Sequence, residues 1–82
     1  QGLVAIRAPL VGTFFLRPAP DQPVFVEPGQ AVKRGQPLCL IEVMKLYTMI
    51  EAPTDGVIEA VLADDGALVE YDQPLFAIRV EA

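Results

Sequence analysis

The chain repeats itself, and the repeat limits what it can fold into. Gly29 to Ile41, GQAVKRGQPLCLI, aligns with Gly66 to Ile78, GALVEYDQPLFAI, at an offset of 37 residues, and six of the thirteen positions are identical. Further upstream, Ala8 to Gly12 (APLVG) matches Ala52 to Gly56 (APTDG) at Ala, Pro and Gly, now at an offset of 44. The first copy therefore carries seven additional residues, which fall within FFLRPAPDQPVFV, Phe14 to Val26. Two copies are too few for a stacked solenoid, which needs about three or more units. Two units that each expose an apolar face bury those faces against each other instead.

Inside each copy the local pattern is that of a strand. GVIEAVL (Gly56 to Leu62) and PLFAIRV (Pro74 to Val80) mix β-branched residues with a loose period of two. Eight prolines and six glycines lie between the apolar runs and end each one before a helix could complete three turns. The expectation is one all-β domain of seven or eight short strands, folded as a flattened β-barrel or sandwich with a pseudo-two-fold axis. A length of 82 residues allows one such domain and no second.

Composition narrows function mainly by exclusion. The net charge is −5, with six Lys and Arg in all, which opposes binding to nucleic acid or to an anionic membrane surface. The uninterrupted apolar stretches are a few residues long, far short of the roughly 18 a membrane span requires. One cysteine, Cys39, and the absence of histidine and serine rule out a Cys–His nucleophile, a Ser–His–Asp triad and most zinc sites. Cys39 reads as a small buried hydrophobe in a protein of a reducing compartment. Asp64-Asp65-Gly66 reads as a turn, because too few oxygen ligands follow for a calcium loop. Gly12, Gly29, Gly35, Gly56 and Gly66 are expected where the backbone must be permissive, and Phe14, Phe25 and Phe76 in the core.

The repeat leaves residues 42 to 51, EVMKLYTMIE, as the join between copies. Taken alone, CLIEVMKLYTMIEA has fair helix propensity, and Lys45 on such a helix would be an ordinary solvated charge. The match of QPLCLI to QPLFAI favours a strand over Pro37 to Val43, a returning strand over Leu46 to Glu51, and a tight turn at Met44-Lys45. Turns of that kind prefer Asn-Gly or Asp-Gly, since type I′ geometry needs positive φ at both central residues. Met-Lys is a poor local choice, and such a conflict points to a functional constraint. Glu42 and Glu51 are expected as surface charges flanking the turn. A join between pseudo-symmetric halves lies at one end of the domain, with the chain termini towards the other.

EVMKL resembles the biotin-acceptor signature of the biotinyl/lipoyl-attachment family, and the similarity runs from about Ile6 to Ile78. APLVGTFF, FVEPGQAVKRGQPLCLIEVMKL and DGALVEYDQPLFAI are similar to the biotin carboxyl carriers of acetyl-CoA carboxylase. The extra segment with PAPD at its centre matches the protruding thumb of the bacterial and plastid carriers. The resemblance implies two four-stranded antiparallel sheets, a thumb over residues 16–23 and an acceptor hairpin over residues 42–47 within one biotinyl domain. It makes Lys45 the site of covalent biotin attachment, with Val43, Met44 and Leu46 as the turn that biotin protein ligase recognises. Lipoyl acceptors usually have Asp where Met44 stands. Val43 replaces the usual Ala, Leu46 the commoner Met, and Leu16-Arg17 the common Arg-Thr of the thumb.

The implied role is a non-catalytic carrier whose biotin shuttles a carboxyl group from a biotin carboxylase subunit to a carboxyltransferase subunit, making malonyl-CoA for fatty acid synthesis. The implied location is the bacterial cytoplasm or the plastid stroma, and the isolated domain is expected to be a monomer. Rival readings are the carrier of another biotin-dependent carboxylase, a lipoyl-type carrier, and an unmodified adaptor of the same fold in which Lys45 does nothing.

Overall fold

The computed structural model describes residues 2–80 and contains eight strands and, among the described residues, no helix. They are β1 Gly2–Arg7, β2 Gly12–Phe15, β3 Ala31–Val32, β4 Pro37–Val43, β5 Leu46–Glu51, β6 Gly56–Val61, β7 Leu68–Val69 and β8 Pro74–Val80. Two four-stranded antiparallel sheets form, in the orders β1-β8-β6-β3 and β5-β4-β2-β7. We call the first the terminal sheet and the second the lysine sheet. The offsets of the sequence repeat map one order onto the other, place by place: β1 onto β5 and β6 onto β2 at 44, β8 onto β4 and β3 onto β7 at 37. Each sheet thus takes two strands from each copy, and neither copy can complete a sheet by itself.

The structure extends the repeat beyond what identity reveals. β1 shifted by 44 residues coincides with β5, and β4 shifted by 37 coincides with β8, so the join is narrower than residues 42 to 51 and consists of Met44 and Lys45 alone. The core follows the same symmetry. Its buried apolar residues include seven equivalent pairs: Ala8 and Ala52, Phe14 and Ile58, Val26 and Ala63, Val32 and Val69, Leu38 and Leu75, Cys39 and Phe76, Ile41 and Ile78. Ile6 completes the cluster, and its mate Ile50 packs at the margin. Phe14 and Phe76, one from each sheet, meet with ring centroids 5.9 Å apart at 57°. Phe25 is only half-buried against this core, so it supports the core without belonging to its centre.

The five glycines expected to need a permissive backbone divide into two kinds. Gly29, Gly35 and Gly66 have φ near +90°, the left-handed region that favours glycine. Gly12 and Gly56 do not; they open β2 and β6, where a Cβ would stand 2.6 Å from the Glu42 carbonyl oxygen or 2.7 Å from that of Arg79. The requirement there is close strand approach. Gln30, Gln36 and Gln73 each close a tight turn, their Oε1 atoms accepting the backbone N–H of Glu27, Lys33 and Glu70 at 3.2, 3.1 and 2.9 Å.

Two short connections orient the sheets. Residues 8–11 lead from the Arg7 end of β1 to the start of β2, and residues 52–55 lead from the Glu51 end of β5 to the start of β6. Gly56 lies beside Arg79 and hence beside the Gly2–Val80 pair, the first and last of the described residues. The Glu51 end of the lysine sheet is therefore at the terminal end of the domain. Its opposite end, the β4–β5 turn, is the length of a strand away.

Candidate functional site

β4 and β5 pair from Cys39–Ile50 through Glu42–Tyr47 to Val43–Leu46, so the chain reverses in the two residues left over, Met44 and Lys45. Their φ angles are 50° and 67°. Both are positive, as a type I′ turn demands and as the right-handed twist of the flanking strands favours. Neither residue is Gly, Asn or Asp, so the turn carries the cost of left-handed geometry for side chains with a Cβ. Glu42 offsets part of it: its Oε2 accepts the backbone N–H of Lys45 at 2.6 Å. The sequence suggested only a solvated flanking charge there, whereas the structure makes Glu42 the brace of the turn.

The candidate residues are brought together as one tip. Val43 ends β4 half-buried, Leu46 opens β5 at 74% exposure, and Met44 between them is 88% exposed. Lys45 is exposed, and its ammonium belongs to neither of the ion pairs found among the described residues, Arg7–Asp72 and Arg79–Glu59. A primary amine at the apex of a braced two-residue turn is open to an incoming electrophile from most directions. Cys39 is the opposite case: it is buried, and desolvation pushes its thiol up to about 12, which leaves it protonated and inert near neutral pH.

Sequence reasoning missed the surface beside the tip. On the outer face of the lysine sheet, Phe15 and Tyr47 approach with centroids 6.5 Å apart at 43°. With Leu40 they form one wall of a groove of about 220 Å³, and Arg17, Pro18, Ala19 and Pro20 form the other, with Asp65 at its edge. Residues 16–23 are all exposed or half-buried. A Gln22 N–H to Ala19 carbonyl bond of 3.0 Å turns this segment back on itself. Tyr47 lies two residues from Lys45, about 7 Å along the strand. The signal available in the sequence was the position of Tyr47 opposite Glu42, on the same face as Leu40.

Comparison with known proteins places these features in context. A family model described as "Biotin-requiring enzyme" matches residues 4–78. The chain is 49% identical over 74 residues to the biotin carboxyl carrier protein of acetyl-CoA carboxylase from Haemophilus influenzae, a match that covers 90% of this chain and 48% of that protein. It is 46% identical over 79 residues to the chloroplastic carrier protein of Glycine max, covering 96% of this chain and 30% of that one. The chain thus spans about half the length of its bacterial relatives or less. Among solved structures, a single-chain, multi-domain long-chain acyl-CoA carboxylase superposes with a TM-score of 0.79 at 27% identity, over 98% of this chain and 8% of that one. The urea carboxylase of Kluyveromyces lactis superposes at 0.77 and 22% identity over 96% of this chain and 6% of that one, which shows likeness of fold.

Proposed function

The chain belongs to the family of biotin-requiring enzymes, whose model matches residues 4–78, and from that membership we propose that it is a biotin carboxyl carrier domain with Lys45 as its acylated residue. The observation that carries this reading is the tip itself: a strained two-residue turn, braced by Glu42, that displays one unpaired amine. The residues fit the group. An exposed amine and an apolar groove beginning two residues away suit a small bicyclic ring at the end of an acyl chain.

Attachment needs an activated acid. The neutral Lys45 amine attacks the acyl carbon of biotinyl-adenylate held by biotin protein ligase; an amide C–N bond forms, the acyl–phosphate C–O bond breaks, AMP leaves and the amine proton passes to a base. The amide removes the positive charge of Lys45. Met44 and Leu46, exposed on either side, present apolar contacts to the ligase, and Val43 sets the exit of β4. When attached, biotin supplies the nitrogen that carries a carboxyl group between a biotin carboxylase and a carboxyltransferase. This chain contributes display and tethering, and tethering raises the local concentration of the carried group at both sites.

The relatives support acetyl-CoA as the acceptor and malonyl-CoA as the product, and their bacterial and chloroplastic sources support a cytoplasmic or stromal location. Within this reading residues 16–23 are the thumb, residues 42–47 the acceptor hairpin, and the whole chain one biotinyl domain. Met44, where a lipoyl acceptor usually has Asp, favours biotin. The test is intact mass after incubation with biotin protein ligase, ATP and biotin. One biotinyl group is gained by the wild type and none by Lys45→Arg, which keeps the charge but offers no usable nucleophile. A wild-type chain that gains nothing overturns the reading.

A further inference from the structure

The pseudo-symmetry accounts for the bonds made by residues 64–67, the turn before β7, with one exception. Gly66 N–H donates to the Phe14 carbonyl at 2.7 Å, as Gly29 N–H donates to that of Ile58 at 2.7 Å. Phe14 N–H donates to the Ala67 carbonyl at 2.8 Å, as Ile58 N–H donates to that of Gln30 at 2.9 Å. Ala67 N–H to Asp64 carbonyl, 3.0 Å, repeats Gln30 N–H to Glu27 carbonyl, 3.1 Å. Leu16 N–H to Asp65 Oδ1, at 2.7 Å, repeats nothing. The equivalent of Asp65 in the other copy is Pro28, which has no carboxylate to offer.

That exceptional bond falls at the root of the insertion. Leu16 uses both its backbone groups there: its carbonyl accepts Phe25 N–H at 2.8 Å, closing the loop, while its N–H goes to Asp65. Within the loop Arg17 Nη1 donates to the Gln22 carbonyl at 3.0 Å, and Pro18, Pro20 and Pro23 restrict the backbone. The loop is thus braced from within. The angle at which it stands over the sheet is set at Leu16, and Asp65 is the side chain that grips Leu16 from another loop.

We propose that Asp65 is a positioning residue, latching the insertion against the β6–β7 turn so that the groove between Pro18, Pro20, Phe15, Leu40 and Tyr47 stands preformed for the ring carried on Lys45. This rests on the carrier reading above. The turn bearing Asp65 is tied to β2 by the bonds of Gly66 and Phe14, so the latch has a rigid anchor. A carboxylate accepting a backbone N–H is stronger than a neutral acceptor, and preforming the wall removes the ordering cost that a mobile loop would meet when the ring arrives.

The test compares the wild-type chain with Asp65→Asn, whose amide oxygen can still accept the bond, and Asp65→Ala, which cannot. In the unloaded proteins, hydrogen exchange at the Leu16 amide accelerates about tenfold or more in the alanine variant and changes by less than about threefold in the asparagine variant. After loading with biotin, verified by mass, the chemical-shift changes that loading produces at Phe15, Ala19 and Tyr47 persist in the wild type and Asp65→Asn and fall by more than about half in Asp65→Ala. Unchanged Leu16 exchange, or undiminished loading shifts in Asp65→Ala, overturns the proposal. So does a parallel loss of protection at Ile41, which would make Asp65 a general support of the fold. A wild-type chain that gains no mass counts against the carrier reading, whereas Leu16 exchange decides the latch in the unloaded protein alone.

Discussion

On the lysine sheet, the face turned away from the core presents Phe15, Leu40, Tyr47 and Met49; the equivalent positions of the terminal sheet hold Glu59, Ala77, Leu3 and Ala5. The inner faces, in contrast, are apolar and buried pair by pair. Where the terminal sheet closes its outer face with an Arg79 Nε to Glu59 Oε1 ion pair of 2.9 Å, the equivalent residues of the lysine sheet are Glu42, which braces the turn, and Phe15, which walls the groove. Pairing of the inner faces is what two copies need in order to fold on each other. Divergence of the outer faces is needed for nothing in the fold, and the proposed acceptor turn and the groove both belong to the lysine sheet. Exposed ion pairs contribute little to stability, and the outer faces could therefore diverge at small energetic cost.

The comparison is most easily broken at its centre. If the inner faces are equivalent, Phe14→Ala on the lysine sheet and Phe76→Ala on the terminal sheet should each destabilise by about 3–5 kcal/mol, because each removes a large fully buried ring from one contiguous core. Tyr47→Ala, on the outer face and 61% exposed, should cost about 1 kcal/mol or less. Urea titration of the three variants checks this. A large difference between the two phenylalanines would mean that one copy dominates the core.

A smaller effect sharpens the same point at the backbone. Gly12→Ala and Gly56→Ala should each cost about 1–3 kcal/mol, since their new methyl groups would press on a carbonyl and a side chain of the facing strand. Gly29→Ala meets open space and should lose about 1 kcal/mol, from its positive φ alone. Thermal melts of the three variants separate crowding from conformational strain. Equal losses at Gly12 and Gly29 would refute the distinction.

How much of this was visible in the sequence follows from the same contrast. Four of the seven buried pairs kept their identity between copies and the other three stayed apolar, so QPLCLI and QPLFAI exposed β4 and β8, and the ends of the strands either side of Met44-Lys45 could be read directly. β1 and β5 escaped pairing because they are edge strands, mostly exposed, and share little beyond Ile6 and Ile50 before Ala8-Pro9 and Ala52-Pro53. No burial constrains the rest of them. Glu42 was read as a surface charge and no role was given to Gln30, Gln36 or Gln73, because a side chain that bonds to a backbone N–H leaves no hydrophobic period behind. Asp65 was read correctly as part of a turn, but its partner is 49 residues away, beyond any local pattern.

The tip is where the fold's preference and the function part company, and it can be made to show this. Both central residues adopt left-handed geometry without the side chains that tolerate it. Replacing Met44-Lys45 by Asn-Gly supplies what a type I′ turn favours and should raise stability by about 1 kcal/mol, the strain at each residue being partly offset already by the Glu42 bond. For a domain of this size that is an increase in Tm of about 4–8 °C. Met44→Asn alone should give about half the gain and leaves the lysine in place, so it separates relief at residue 44 from relief at residue 45. If the double variant is no more stable than the wild type, the turn is not strained and Met-Lys needs no functional explanation. If it is, the chain holds an amine where glycine would fold better, and the divergence of the outer faces has its counterpart in the backbone.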